Sequence, residues 1–226
     1  MALAIKVVTD TGEELREPYL LRIGGWTEER YFAEAPETRL AEFEDGDLIV
    51  PSPANIRHQD LVRFLTFLLC GFLSARGLGK VFNGPAVVRL RPGLDYEPDI
   101  FVVLREHLHR LEAQYFSGAP DLVVEVISPG GRNYDLRTKA QHYRTHGVPE
   151  YWAVDPEACE LYQHLLPADP AAPYACRVYA SGRLASAVLP GFWLEVSWLW
   201  QEPLPAEKPL LDRLLAEAQP QGASGS

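Results

Sequence analysis

Two short apolar stretches in the middle of the chain each carry a carboxylate where a buried strand would not ordinarily hold one. They are Glu97-Pro98-Asp99-Ile100-Phe101-Val102-Val103 and Asp121-Leu122-Val123-Val124-Glu125-Val126-Ile127. Burying a charge among Val and Ile is costly unless something pairs with it. Carboxylates gathered from separate strands most commonly serve a divalent cation, which would equip a hydrolytic centre. Strand alternation puts Asp121, Val123, Glu125 and Ile127 on one face, but Asp121 and Glu125 are then about 13 Å apart, too far to chelate one ion. Asp99 begins its strand, whereas Glu125 lies near the end of its own. If the two strands run antiparallel, Asp99 meets Glu125 at one rim and Asp121 stays at the other as a strand-entry residue.

A helix expected over 134–146 brings Lys139 one turn after Asp135. One reading of this spacing is a surface ion pair, which contributes little. The other is an ammonium that orients an attacking water or offsets charge developing on phosphorus. Lysine is scarce, four against seventeen arginines, so its position here draws notice. Glu42 and Asp47 offer a further outer carboxylate or are ordinary solvated turn acids. His58 is a phosphate contact, or else a capped surface or packing histidine. His142 and His146 sit one helical turn apart but lack the glutamate that a zinc-protease helix needs beside its first histidine. Ser128-Pro129-Gly130-Gly131 has no phosphate-loop spacing and reads as a plain strand-to-helix turn.

The elements that must position these residues follow from periodicity. Thr27 caps a short helix over 28–35, and Asp45-Gly46 joins strands 41–44 and 47–50 in a hairpin. Residues 55–76 repeat apolar side chains at helical spacing and stop at Gly77 and Gly79. Residues 80–90 alternate as one strand, 98–103 and 121–127 are the two acid-bearing strands, and 105–113 is a short helix or irregular crossing. Strands follow at 151–154 and 160–165, and 177–180 and 184–188 would extend the sheet. Residues 192–200 read as a packed aromatic edge of the core and 207–218 as a terminal helix. Residues 5–22 are mixed, and 219–226 are a frayed, disordered tail. The order of elements suggests an α/β fold with a mixed sheet.

The 226 residues suffice for one large domain, taken as 1–218 with its core at about 40–165. No apolar run reaches the roughly 18 residues needed to span a bilayer, and no signal-peptide pattern opens the chain, so a cytoplasmic, non-membrane protein is expected. Cys70, Cys159 and Cys176 have no paired spacing and read as reduced core thiols. The net charge of −10 argues against a nucleic-acid partner until its distribution is considered. Residues 1–53 hold 5 Lys/Arg against 12 Asp/Glu, and 151–226 hold 4 against 9, but 54–150 hold 12 against 10 and five of the six histidines. Cations on the central carboxylates would make that middle locally positive. The acidic flanks still predict weak, salt-sensitive duplex affinity unless a homodimer or higher oligomer gathers the basic residues into one groove.

Glu97-Pro98-Asp99, the run 118–129, Asp135, Lys139 and Tyr143, and Val148-Pro149-Glu150-Tyr151-Trp152-Ala153-Val154-Asp155-Pro156 together resemble the Uma-two family of endonucleases. That family belongs to the restriction-endonuclease-like PD-(D/E)XK superfamily. The resemblance extends to Glu42, Asp45-Gly46-Asp47, Arg57-His58-Gln59 and Leu189-Pro190-Gly191-Phe192, covering roughly 27–200. It implies a restriction-endonuclease-like core with β-rich additions, and Mg²⁺- or Mn²⁺-assisted hydrolysis of DNA phosphodiesters. Asp99 and Glu125 would be the motif carboxylates and, with the backbone carbonyl of Val126, the metal ligands. The superfamily's usual lysine falls on Ile127 here, and the resemblance assigns its task to Lys139. The rival expectation is a non-catalytic nucleic-acid or protein-binding module that keeps the fold, and an enzyme acting on RNA is a third.

Overall fold

The computed structural model describes residues 19–34, 41–169 and 172–218. The expected tail and most of the mixed stretch 5–22 lie outside the described residues. In chain order the first elements are β1 (Leu20–Gly24), α1 (Glu28–Glu34), β2 (Glu42–Glu44), β3 (Asp47–Pro51) and α2 (Ile56–Arg76). Then come β4 (Gly79–Asn83), β5 (Val87–Arg91), β6 (Leu94–Tyr96), β7 (Ile100–Leu104), β8 (Tyr115–Ser117) and β9 (Leu122–Val126). A π-helical turn at Tyr134–Lys139 runs into α3 (Ala140–Thr145), followed by β10 (Glu150–Asp155), β11 (Glu160–Leu165) and β12 (Ala175–Tyr179). The short strands β13 (Arg183–Ala185) and β14 (Trp193–Glu195) precede α4 (Glu207–Glu217).

The central sheet has the order β12-β11-β10-β9-β7-β4. It is mixed: β9 and β10 are parallel, while the other neighbours are antiparallel. A parallel pair needs a crossover, and the helix over 134–145 supplies it. Alternation sorts the side chains of β7 and β9. Ile100, Val102 and Val124 pack with Leu61, Phe64, Leu68 and Phe72 of α2. Phe101, Val103 and Val123 pack on the opposite face with Tyr143 and with Val88, Tyr96 and Phe116 of a second sheet, ordered β1-β3-β2-β6-β5-β8. Truncating a leucine in such a core costs about 2–5 kcal/mol. The architecture is α/β, a mixed sheet flanked by helices with β elements added.

Local signals explain the boundaries. Asn55 caps α2 by accepting a 2.8 Å hydrogen bond from the His58 N–H, a contact that contributes about 1 kcal/mol. Gly77 ends the helix at φ 60°. Asp45 and Gly46 take φ 46° and 98°, the two positive angles that a primed hairpin turn requires. Gly71 of α2 lets α4 approach, because a Cβ there would lie 2.3 Å from Leu211 Cδ2.

Three expectations are corrected. Residues 80–90 form two strands in different sheets, because Pro85 carries no N–H to continue a ladder and the chain turns at Gly84-Pro85. Residues 184–188 do not extend the sheet: β13 pairs with β14 in a separate ribbon. The cysteines are exposed free thiols, with none in the core. The packed aromatic edge does form, with Phe192, Trp193, Leu194, Val196, Trp198 and Leu199 buried against α2 and its neighbours. Among the described residues no helix is long and apolar enough to cross a membrane.

Candidate active site

Antiparallel pairing of β7 and β9, with Ile100 opposite Val124, sets Asp99 beside Glu125 at one sheet rim. The Asp99 N–H donates to Glu125 Oε2 at 3.3 Å, and the Val126 N–H donates to Asp99 Oδ2 at 2.8 Å. His58, in the first turn of α2, places Nε2 3.1 Å from the same Asp99 oxygen. Burial disfavours a charged His58, but the hydrogen bond and charge of Asp99 outweigh it and raise the imidazole pKa. His58 is therefore an internal partner of Asp99, buried and unlike a surface histidine.

Lys139 is also buried, which overturns the surface-pair reading of its i,i+4 spacing to Asp135. Its Nζ lies 2.8 Å from Glu125 Oε1 and 2.7 Å from Glu42 Oε1, while Asp135 is 3.9 Å away. The π-helical turn contributes to this placement: the Ala140 N–H reaches back to the Asp135 carbonyl, widening the turn that carries both residues inward. The ammonium also faces the rings of Tyr96 and Tyr134, with centroids at 5.4 and 5.6 Å. Tyr143 donates from its hydroxyl to Glu125 Oε1 at 2.8 Å.

Acid exceeds base in this cluster. Glu42, Glu97, Asp99, Glu125 and Asp135 are all buried residues lining one cavity of about 460 Å³, with Lys139 and His58 as the cationic groups among its described lining. Burial pushes the Glu125 carboxyl up, against the pull of Lys139 and with further repulsion from Asp99 and Glu42. Asp135 is raised well above the usual carboxylate range for the same primary reason. Burial and the Glu42 charge hold Glu97 up at about 7 even though the Ala41 N–H and Tyr31 hydroxyl bond to it. The charge of Glu125 and Glu42 more than offsets the desolvation of Lys139, so its ammonium is held far above its ordinary range. The described lining thus sets five acids against two cationic groups.

The structure brings together Asp99, Glu125, Lys139, Glu42, His58 and Asp135, but not Asp47. Asp47 pairs at the surface with Arg22, at 2.9 Å. Glu42 is no solvated turn acid, because β2 pairs with β6 and turns its side chain inward. Asp121 sits at the far rim as expected, accepting from the Leu104 N–H at 2.7 Å and facing His107 Nδ1 at 2.8 Å. His142 and His146 do not converge on an ion: His142 Nδ1 meets the Tyr96 hydroxyl and His146 Nδ1 meets the His142 carbonyl. Ile127 is packed in the core, and Ser128 and Gly131 close a turn at the cavity wall. In the sequence Glu97 and Tyr143 stand out only as parts of motifs. Their signal was a second acid two residues before Asp99 and a tyrosine one turn beyond Lys139.

Among the described residues no three His, Cys, Asp or Glu side chains form a ready-made metal cage. Mg²⁺ is usually bound through one or two carboxylates and several waters, and Asp99 and Glu125 are neighbouring carboxylates in the cavity.

Comparison with known proteins fits this geometry. The model of the family described as "Uma2: Putative restriction endonuclease" matches residues 28–197. Comparison with curated proteins finds no match. Among solved structures, a "putative nuclease belonging to DUF820" from Anabaena variabilis ATCC 29413 is similar at TM-score 0.58 and 19% identity. That match covers 75% of this chain and 94% of the other. At that identity it shows a shared fold. With most of its length matched by the family model, the chain belongs to the Uma2 family, within the restriction-endonuclease-like PD-(D/E)XK superfamily.

Proposed function

We propose that this protein is a metal-dependent nuclease that hydrolyses phosphodiester bonds in DNA. The observation that carries the reading is the convergence of Asp99, Glu125 and Lys139 in one acid-rich cavity. Asp99, Glu125 and the backbone carbonyl of Val126 would hold Mg²⁺ or Mn²⁺. The bound cation would supply a lowered pKa for water and a counter-charge for the phosphorane-like transition state.

The chain's own residues then have separable tasks. His58 and the Val126 N–H fix Asp99 through Oδ2. Tyr143 and Lys139 fix Glu125 through Oε1. An ammonium has three donors, and Glu125 and Glu42 take two, leaving one for an attacking water or a phosphate oxygen. In the reaction the water oxygen bonds to phosphorus and the ester P–O bond breaks. One water proton is released, and the departing sugar oxygen gains a proton.

The test is incubation of the purified protein with DNA and Mg²⁺ or Mn²⁺, wild type beside Glu125→Gln. Cleavage should fall by at least ~100-fold in the variant, because losing even an outer partner of a metal ligand costs 10–100-fold. Equal cleavage by the two proteins would sink the proposal.

A further inference from the structure

Resting on that reading, we infer that the cavity takes one unpaired nucleotide at a time, and that its substrate is single-stranded DNA in preference to intact duplex. The floor and the rim of the cavity differ in chemistry. On the floor, Asp99 is 9% exposed, Glu125 4% and Lys139 6%, so a phosphate must enter the cavity to reach them. Among the described residues, the lining that is partly or fully exposed includes Tyr19, Leu20, Pro53, Ala54, Gln59 and Ser128 and carries no charged side chain. Affinity for intact duplex comes chiefly from Lys and Arg that neutralise several phosphates at once. Of Lys and Arg the described lining offers Lys139 alone, with one donor left beyond Glu125 and Glu42.

Size points the same way. About 460 Å³ lies in the range of pockets that enclose one drug-sized molecule, which is the scale of a single nucleotide. A neutral rim with an aromatic ring and exposed Leu20 suits a base and its sugar, as in single-strand sites where bases stack on aromatic side chains. A paired base would first have to leave the helix, at the cost of its stacking and pairing. The hydrolysis itself is the one described above.

The experiment compares a single-stranded DNA circle with the same sequence as a relaxed, covalently closed duplex, each with Mg²⁺ or Mn²⁺. The single-stranded circle should be cut at least roughly tenfold faster, reflecting the extrusion penalty. Binding of fluorescent single-stranded and duplex oligonucleotides by Glu125→Gln, followed by anisotropy, should rank the two in the same order. Equal rates on both circles, or tighter duplex binding, would overturn the inference and leave the nuclease reading standing. No cleavage of either circle by folded wild-type protein would overturn the nuclease reading, and the inference with it.

Discussion

The two ends of the β7–β9 ladder hold chemically similar acids in opposite circumstances. At one end Asp121 has a backbone N–H on one oxygen and His107 on the other, and among the described residues no second carboxylate joins its hydrogen-bonded group. At the other end Asp99 and Glu125 share a cavity with Glu42, Glu97 and Asp135, and among the described lining Lys139 and His58 are fewer than these five acids. Both ends put a carboxylate against an apolar strand, so burial alone does not make a site. What separates them is whether the acid's partners satisfy it or leave charge unmatched.

Breaking the crowded end should have the largest effect. In Lys139→Met the acids Glu125 and Glu42 lose their shared counter-ion, and leaving buried charge uncompensated costs about 3–5 kcal/mol. Urea unfolding should show that loss at neutral pH. Added Mg²⁺ should recover part of it, since a cation can take over the compensation. Loss without any recovery would mean that the cavity does not accept a cation.

The satisfied end should respond differently. Asp121→Asn keeps a carbonyl acceptor but turns an amide toward a donor, so unfolding measurements should show a loss of about 1–3 kcal/mol. Its Mg²⁺ response should match wild type. A changed Mg²⁺ response would erase the distinction between the two rims.

A smaller effect concerns a third acid outside both rims. Burial, helped by the neighbouring Glu28 carboxyl and opposed by Arg89, pushes Asp95 up to about 7 from 3.8. The folded protein then binds this proton more tightly than the unfolded chain does. Its contribution falls as pH rises from 3.8 through about 7. Asp95→Asn should flatten that decline when urea midpoints are compared at the bottom and the top of the window. Glu97, also held at about 7, keeps part of the remaining slope. An unchanged slope would show that Asp95 is ionised throughout.

Much of this arrangement was legible in the sequence because it is local. Helical spacing marked α2, Asp45-Gly46 marked the first hairpin, and period-two alternation marked β7 and β9. Antiparallel pairing of those two strands then sufficed to bring Asp99 to Glu125 and to exclude Asp121. What stayed hidden depends on distant pairing. Glu42 reaches Lys139 only because β2 docks on β6, a three-residue strand too short to show a period. β4 and β5 are each only five residues long, so their division between sheets could not be read from hydrophobicity. The π-helical turn at 134–139 is likewise invisible to a search for helical spacing.

The proposed mechanism requires Asp99 and Glu125 to seat a divalent cation. Titration calorimetry of the wild-type protein with Mn²⁺ or Mg²⁺, beside Glu125→Ala, tests it most directly. A saturable ion-dependent heat in the wild type that disappears in the variant is the result predicted. No heat in the wild type, or the same heat in both proteins, would contradict the account.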